Sequence, residues 1–346
     1  MKLPISKLNY PSRPLSDDTF VVVDKQVNNS WQSYKVSFAT LKNFVNTSSQ
    51  EYFVVHLDPF GGTIDGSSNI YDVRIPVGET VGNRLPTPIA ASSSSGFAGI
   101  TEFKGWWTKE YGEGVQILSD ILVTSAGEIT LYASWEGVIH YRNVGNVPID
   151  SNGVATFGWS SSSGLQTVDK FDFGGNFRVV MKCQRGNGDG SFHTDRQDIF
   201  AGFPAEQESN NNLLMDFGLY GYYGYPQWEI AEYKDSTPTQ NPDHSGMLID
   251  QNQVFWLGVD VIKDGRENPV SGYYSWNGTN WTVDYNGPGS NYGIGGFWIG
   301  RDPDTTQSNS ECWYGRVFLN ECYLLQTNPN AANPRGKYVL RSETLA

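Results

Sequence analysis

Val254-Phe-Trp-Leu-Gly-Val-Asp-Val-Ile262, the turn Lys263-Asp-Gly265 and the run Ser271-Gly-Tyr-Tyr-Ser-Trp276 with its Asn277-Gly278 corner decide the fold class of this chain. Both runs are built from β-branched and aromatic residues, and both end in Gly, Asn or Asp turn chemistry, which is the composition of strands joined by a hairpin. Runs of the same kind recur on either side at regular spacing. Upstream lie Val154–Phe157, Phe177–Cys183, Gln197–Ala201, Leu213–Phe217 and Trp228–Tyr233; downstream lie Gly296–Gly300, Tyr314–Leu319 and Cys322–Leu325. No helical periodicity interrupts them between residues 137 and 346. Many short strands with Gly and Asn turns and no helices indicate a β-sandwich or jelly roll.

Three of these runs carry a resemblance. Val254–Ile262 with Tyr273-Tyr-Ser-Trp-Asn-Gly278, then Phe297-Trp-Ile-Gly-Arg301, then Tyr314-Gly-Arg-Val-Phe-Leu-Asn-Glu-Cys-Tyr323 resemble, in order and spacing, strands of the concanavalin-A-like lectin and laminin-G superfamily. The resemblance implies a concanavalin-like jelly-roll sandwich over 137–346. Fold alone does not fix function.

Residues 51–136 read as a separate small module. Tyr52-Phe-Val-Val-His-Leu57 is a strand with Phe53, Val55 and Leu57 on one face and Tyr52, Val54 and His56 on the other. Dense turn chemistry at Asp58-Pro-Phe-Gly-Gly-Thr-Ile-Asp-Gly66 follows, then a strand at Asp72–Val77. Asp58–Gly62, Val77–Gly82, Leu85–Pro88, Phe103–Trp107 and Ile129–Trp135 together resemble the signposts of the internalin-type B-repeat family. That resemblance implies a β-grasp-like spacer without chemistry. Trp107 and Trp135 are expected as core anchors, and the insertion Ala90-Ala-Ser-Ser-Ser-Ser-Gly-Phe-Ala-Gly99 as a flexible loop.

The first 45 residues differ from the rest. A strand at Thr19-Phe-Val-Val-Val-Asp24, a polar turn at 28–30 and a strand through Tyr34-Lys-Val36 lead into Ser37-Phe-Ala-Thr-Leu-Lys-Asn-Phe-Val45. There Phe38, Leu41, Phe44 and Val45 share one helix face, and Ser37 is placed to cap it. So small a unit cannot bury enough surface to stand alone. The order of these residues, from Ile5 and Leu8 through Pro14-Leu-Ser-Asp-Asp18 to Val45, is similar to the N-terminal segment of tailed-bacteriophage fibre and appendage proteins. The resemblance implies docking on a phage capsid or tail protein, with Phe20, Val22, Phe38, Leu41 and Phe44 as the docking side chains, and a homotrimer as the assembly. Residues 1–50 are then a virion-anchoring segment and linker, and the whole is mainly β: a short α+β docking segment, a β-grasp-like module and a terminal sandwich.

Composition narrows the partners. With 24 basic against 37 acidic residues the net charge is −13, and no Lys or Arg run appears, which argues against a nucleic-acid phosphate backbone as ligand. Met1-Lys-Leu-Pro-Ile-Ser-Lys7 has no apolar leader region and no stretch approaches the length of a spanning helix. The expectation is synthesis in a host cytoplasm, no membrane insertion and a final place on the virion surface. Cys183, Cys312 and Cys322 are too few and too widely spaced for a disulfide framework or a metal site.

Catalytic patterns are missing. His56, His140, His193 and His244 have no metal-ligand spacing. The nearest approach to a one-strand glycosidase carboxylate set is Trp228-Glu-Ile-Ala-Glu-Tyr-Lys234, where Glu229 and Glu232 fall on opposite faces of a strand and cannot converge. The chain therefore reads as a non-enzyme without cofactor. Two binding features remain. Leu219–Trp228 carries Tyr220, Tyr222, Tyr223, Tyr225 and Trp228 among Gly and Pro, rings that suit stacking on a host-surface glycan; packing in the core or at a subunit interface is the competing reading. Asn187, Asp189, Asp195, Asp198, Asp302 and Asp304 could hold calcium, though ordinary Asx turns explain them equally well. The combined reading is a phage head or tail fibre that presents a glycan-binding sandwich. A cellular adhesin or lectin-like module and, further off, a polysaccharide depolymerase are its rivals.

Overall fold

The computed structural model describes residues 20–27, 30–37, 39–40, 50–158, 162–186, 196–204, 215–220, 225–229, 249–263, 265, 269–287, 293–301 and 312–345. Among the described residues it is mainly β, with two short 3-10 turns, Glu110–Gly112 and Leu319–Glu321, and a helical pair at 39–40. Two compact units emerge: Met1–Val55 with Val73–Arg84 and Leu118–Ile129, and His56–Asp72 with Leu85–Ile117 and Thr130–Ala346.

In the first unit, Phe20–Val27 and Ser30–Ser37 form an antiparallel ladder running from Phe20 opposite Ser37 to Val27 opposite Ser30. This is a two-stranded sheet of its own. Ser37 Oγ accepts the Thr40 amide at 3.1 Å, the hydrogen bond of a helix N-cap onto its third helical residue. Elsewhere in this unit, Gly78 N–H donates to Val123 O (2.8 Å) and Val81 N–H to Ile121 O (2.9 Å), so the Val77–Gly82 turn is bonded along 119–123.

The second unit is one long curled sheet. Phe177–Arg185 lies at its centre, bonded on one side to Val254–Val261 and on the other to Tyr314–Phe318 and Tyr323–Gln326. Val254–Val261 continues into Val270–Ser275 and then Trp281–Gly287. Alternation sets the faces: Phe255, Leu257, Val259 and Val261 are fully buried, while Trp256 and Asp260 point outward and stay half-buried. In the other direction Tyr323–Gln326 pairs with Gly336–Leu345, which runs parallel to Gly127–Val144 from Lys337 opposite Glu136 to Leu340 opposite Ile139. The ladder then passes through Gly164–Thr167, Ile294–Ile299, Arg196–Pro204, Met215–Tyr220 and Tyr225–Glu229.

A run of aromatic rings shows how the curl closes over its core. Phe177 meets Phe173 at 5.1 Å between centroids, Phe173 meets Phe171 at 6.1 Å, Phe171 meets Phe297 at 5.6 Å, Phe297 meets Phe200 at 4.7 Å, and Phe200 meets Phe217 at 5.1 Å. Strands far apart along the sheet thus share one interior, the defining property of a sandwich.

Gly127–Val144 crosses the 136/137 boundary read from the sequence without a break. At Gly137 a Cβ would lie 2.3 Å from Gly99 O and 2.8 Å from the Tyr338 ring, so only glycine admits the parallel neighbour there. The insertion at 90–99 is tied down near its end. Ala98 is buried and donates to Lys170 O at 3.1 Å, and Asn333 Nδ2 donates to both Ala98 O and Lys170 O. Trp135 is buried as expected, its Nε1 donating to Pro59 O at 2.8 Å, but its buried companion is Trp106. Trp107 is half-buried because the strand Ile100–Trp107 bulges between Phe103 and Gly105, where Gly105 takes φ +111° and shifts the alternation by one.

Candidate functional site

The outward face of the sheet carries a polar pair that the strand register creates. Arg178 and Asp260 are direct cross-strand partners. The guanidinium grips the carboxylate with both Nε and Nη2, the latter at 2.7 Å from Oδ2, a bidentate fork. Tyr273 Oη adds a bond to Asp260 Oδ1 at 3.0 Å, and its ring lies 5.7 Å from the Arg178 guanidinium. Gly258 makes room for that ring, since a Cβ there would come within 2.3 Å of it. The Asp260 hydrogen bond holds the Arg178 charge firmly in place, whereas burial drives the Tyr273 phenol well above its usual value.

The opposite wall is the turn 109–113. Tyr111 sits in the left-handed region at φ 59°, ψ 21°, a conformation that a bulky side chain rarely adopts. Its ring packs edge-on against Phe60 at 4.9 Å, and the Arg335 guanidinium lies 4.0 Å from the other ring's centroid. Asp58 Oδ1 accepts the Phe60 amide at 2.8 Å and stands 3.9 Å from Arg335 Nη2. Gly61, at φ +98°, lies so close to the Arg335 backbone that a Cβ would fall 2.4 Å from its carbonyl oxygen. The Asp58–Gly62 turn is therefore the support on which Tyr111 and Arg335 are held.

Between these walls opens a cleft of about 500 Å³, in the size range of small-ligand sites, lined also by Asn176 and Thr327. Thr327 N–H donates to Asn176 O at 3.1 Å, and Asn176 Oδ1 accepts the Lys263 amide at 2.6 Å. Desolvation raises the Glu110 carboxyl above its ordinary value. Asp260 is fixed in orientation by Arg178 and Tyr273 together.

The aromatic segment singled out in the sequence forms a hairpin. Tyr220 is the register partner of Tyr225, and Trp228 that of Phe217; only the backbone of Tyr220, Tyr225 and Trp228 is described, while Tyr222 and Tyr223 lie outside the described residues. Glu229 ends the same hairpin, and Glu232 lies outside. Phe20 and Val22 occupy the first ladder, opposite Ser37 and Lys35, and Phe38, Leu41 and Phe44 lie outside. His56 Nδ1 is 2.7 Å from Asp72 and His140 Nδ1 is 2.9 Å from Asp169; His193 and His244 lie outside. Of the acidic turn residues, Asp198 is fully buried within Arg196–Pro204, and Asn187, Asp189, Asp195, Asp302 and Asp304 lie outside. Among the described residues no group of three His, Cys, Asp or Glu side chains could hold a metal ion. All three cysteines are buried and form no disulfide.

Sequence reading missed Tyr111, Arg178, Asp260 and Arg335. Nothing local marks Arg178 and Asp260, which are separated by 82 positions and meet only through register. The Glu110-Tyr-Gly-Glu-Gly114 turn did offer a signal, an aromatic residue set among turn glycines.

No family model matches this chain, and no curated protein matches it. Among solved structures it is similar to the native heptameric SAP-like pentraxin of Limulus polyphemus, at 14% identity over 45% of this chain and 75% of that one, with a TM-score of 0.29. It is also similar to the exoplasmic/lumenal domain of VIP36 in its Ca2+/Man-bound form, at 10% identity over 65% and 91% of the two chains and a TM-score of 0.29. A functionally unknown protein from Saccharomyces cerevisiae shares 12% identity over 55% of this chain and 97% of that one, with a TM-score of 0.33.

Proposed function

We propose that this chain is a non-catalytic adhesion protein of a phage-type appendage, head fibre or tail fibre, anchored through residues 1–50 and presenting its sandwich to a host-surface glycan. In this reading residues 51–136 are the spacer, the assembly is a trimer and the site of action is the virion surface. The observation that carries it is the Phe20–Val27/Ser30–Ser37 ladder, which bonds to no other strand among the described residues. A lone two-stranded ribbon is marginal in water, so a capped hairpin of this kind is suited to completion by a partner surface. The cleft over Arg178 and Asp260 supports the binding half of the reading, because it combines an aromatic ring with planar polar groups of fixed geometry.

Removing residues 1–45 tests the anchor. The truncated protein is expected to fold and stay in solution while particles form without it. Retention on the particle at full occupancy would refute the docking role. Reducing-sugar release from host polysaccharide by the intact protein would refute the non-catalytic assignment.

A further inference from the structure

We propose that the cleft between the 109–113 turn and the Arg178–Asp260 pair is a saccharide seat, and that it takes an uncharged sugar in preference to an acidic one. The inference rests on the glycan-binding reading above and gives it a place and a ligand class.

Charge balance is the first argument. Lys109, Arg178 and Arg335 line the cleft against Glu110, Glu113 and Asp260, three of each sign. The central pair is already internally neutralised, and Asp58 stands beside Arg335. A sugar carboxylate would add a fourth negative charge to this balanced lining, where Arg178 is already engaged by Asp260 and Arg335 stands beside Asp58, leaving Lys109 as the cation without a carboxylate partner among the described residues. Neutral hydroxyls meet no such conflict. Each can donate to a carboxylate and accept from a guanidinium, and among the described residues Arg178 Nη1 has no protein acceptor because Nε and Nη2 serve Asp260.

Tyr111 is kept in a left-handed conformation with Gly112 at φ +77° and Gly114 at φ +79° beside it. Strain of this kind persists where the surroundings over-determine it, and it clusters at ligand sites. Here it fixes an aromatic ring in the wall of a polar cleft before any ligand arrives, which is how a weakly binding sugar site gains affinity.

The experiment uses the full chain against a panel of neutral oligosaccharides and their uronic-acid or sialic-acid counterparts, read by calorimetry. Tyr111→Gly removes the ring and tolerates the positive φ, so it should fold like the parent, which thermal unfolding checks; Arg178→Lys breaks the fork. Binding of neutral members that weakens about ten-fold or more in Tyr111→Gly supports the seat. Neutral binding untouched by Tyr111→Gly but lost in Tyr222→Ser or Tyr223→Ser overturns the seat while leaving glycan adhesion standing. Preference for the acidic members overturns the ligand class. No binding by any member overturns both this inference and the adhesion reading.

Discussion

The N-terminal ladder and the central strand of the curled sheet are both about eight residues long, yet their surroundings are opposite. Among the described residues, Phe20–Val27 pairs only with Ser30–Ser37. Phe177–Arg185 is bonded along both edges to three other strands, and its inward side chains, from Phe177 to Cys183, are buried. Hydrogen bonding within a ladder is similar in the two regions. What separates them is the number of neighbouring strands among the described residues. In the docking role proposed above, a ladder with no further strand beside it among the described residues is completed by a partner, whereas a strand flanked by its own chain is built to persist. Perturbations aimed at one region should therefore leave the other's property intact.

The largest effect is expected in the sheet core. Phe200 is fully buried and stacks on Phe217 and Phe297, so it joins three strands through one ring cluster. Phe200→Ala should cost about 3–5 kcal/mol in urea unfolding. If the comparison holds, attachment by the N-terminal segment survives under conditions where the sheet still folds. Gly137 comes next. A methyl group there meets a backbone oxygen and cannot be relieved by a side-chain rotation, so Gly137→Ala should destabilise by about 1–3 kcal/mol. A neutral outcome would mean that the parallel pairing of Gly127–Val144 with Gly336–Leu345 is slack.

Much of this sheet was legible because strand alternation follows burial. Val254–Val261 announces itself because its inward positions are Phe, Leu, Val and Val, and its outward ones include Trp and Asp. Elements escaped notice where that link fails. Gly164–Thr167 is buried at every position, Gln166 and Thr167 included, so no polar–apolar rhythm marks it. Among the described residues Trp281–Gly287 has Val270–Ser275 as its register partner and leaves Trp281 and Val283 exposed, as an edge strand does. Gly336–Leu345 follows an Asn- and Pro-rich stretch that reads as loop, and its parallel partner lies some 200 positions away in sequence. The paired strands Met215–Tyr220 and Tyr225–Glu229 reach further into the aromatic run than the expected strands Leu213–Phe217 and Trp228–Tyr233, because Gly and Pro within that run blur their ends. The cleft was less legible than the fold, since its parts are brought together by register and by one strained turn.

Alkaline pH should also act on the sheet and spare the ladder. Burial pushes the Cys322 thiol from 9.0 up to about 12 and moves the Cys183 thiol and the Tyr273 and Tyr338 phenols in the same direction. In the unfolded chain these groups ionise near their ordinary values, so their contribution to stability is complete below 9.0 for Cys322 and is lost as pH rises toward about 12. Each such group removes on the order of 1 kcal/mol per pH unit within its window. The urea midpoint should fall between about pH 8 and about pH 10, and Cys322→Ala should make that decline shallower. A midpoint that rises over the interval would contradict the burial of these thiols and phenols.

The smallest effect is the one aimed at the ladder. Ser37 Oγ accepts the Thr40 amide, and replacing a capping serine by alanine costs about 1 kcal/mol of local stability. Against the core of the curled sheet that loss is minor, so the main unfolding transition of Ser37→Ala should be unchanged. Against a marginal ribbon it is large: amide exchange across 20–40 should accelerate several-fold, and occupancy on the particle should fall in step. A variant that exchanges faster yet attaches as well as the parent would show that the partner surface, rather than the cap, orders this segment. If exchange is unaltered, the capped turn at 37–40 contributes nothing to the ladder, and attachment must depend on the strands alone.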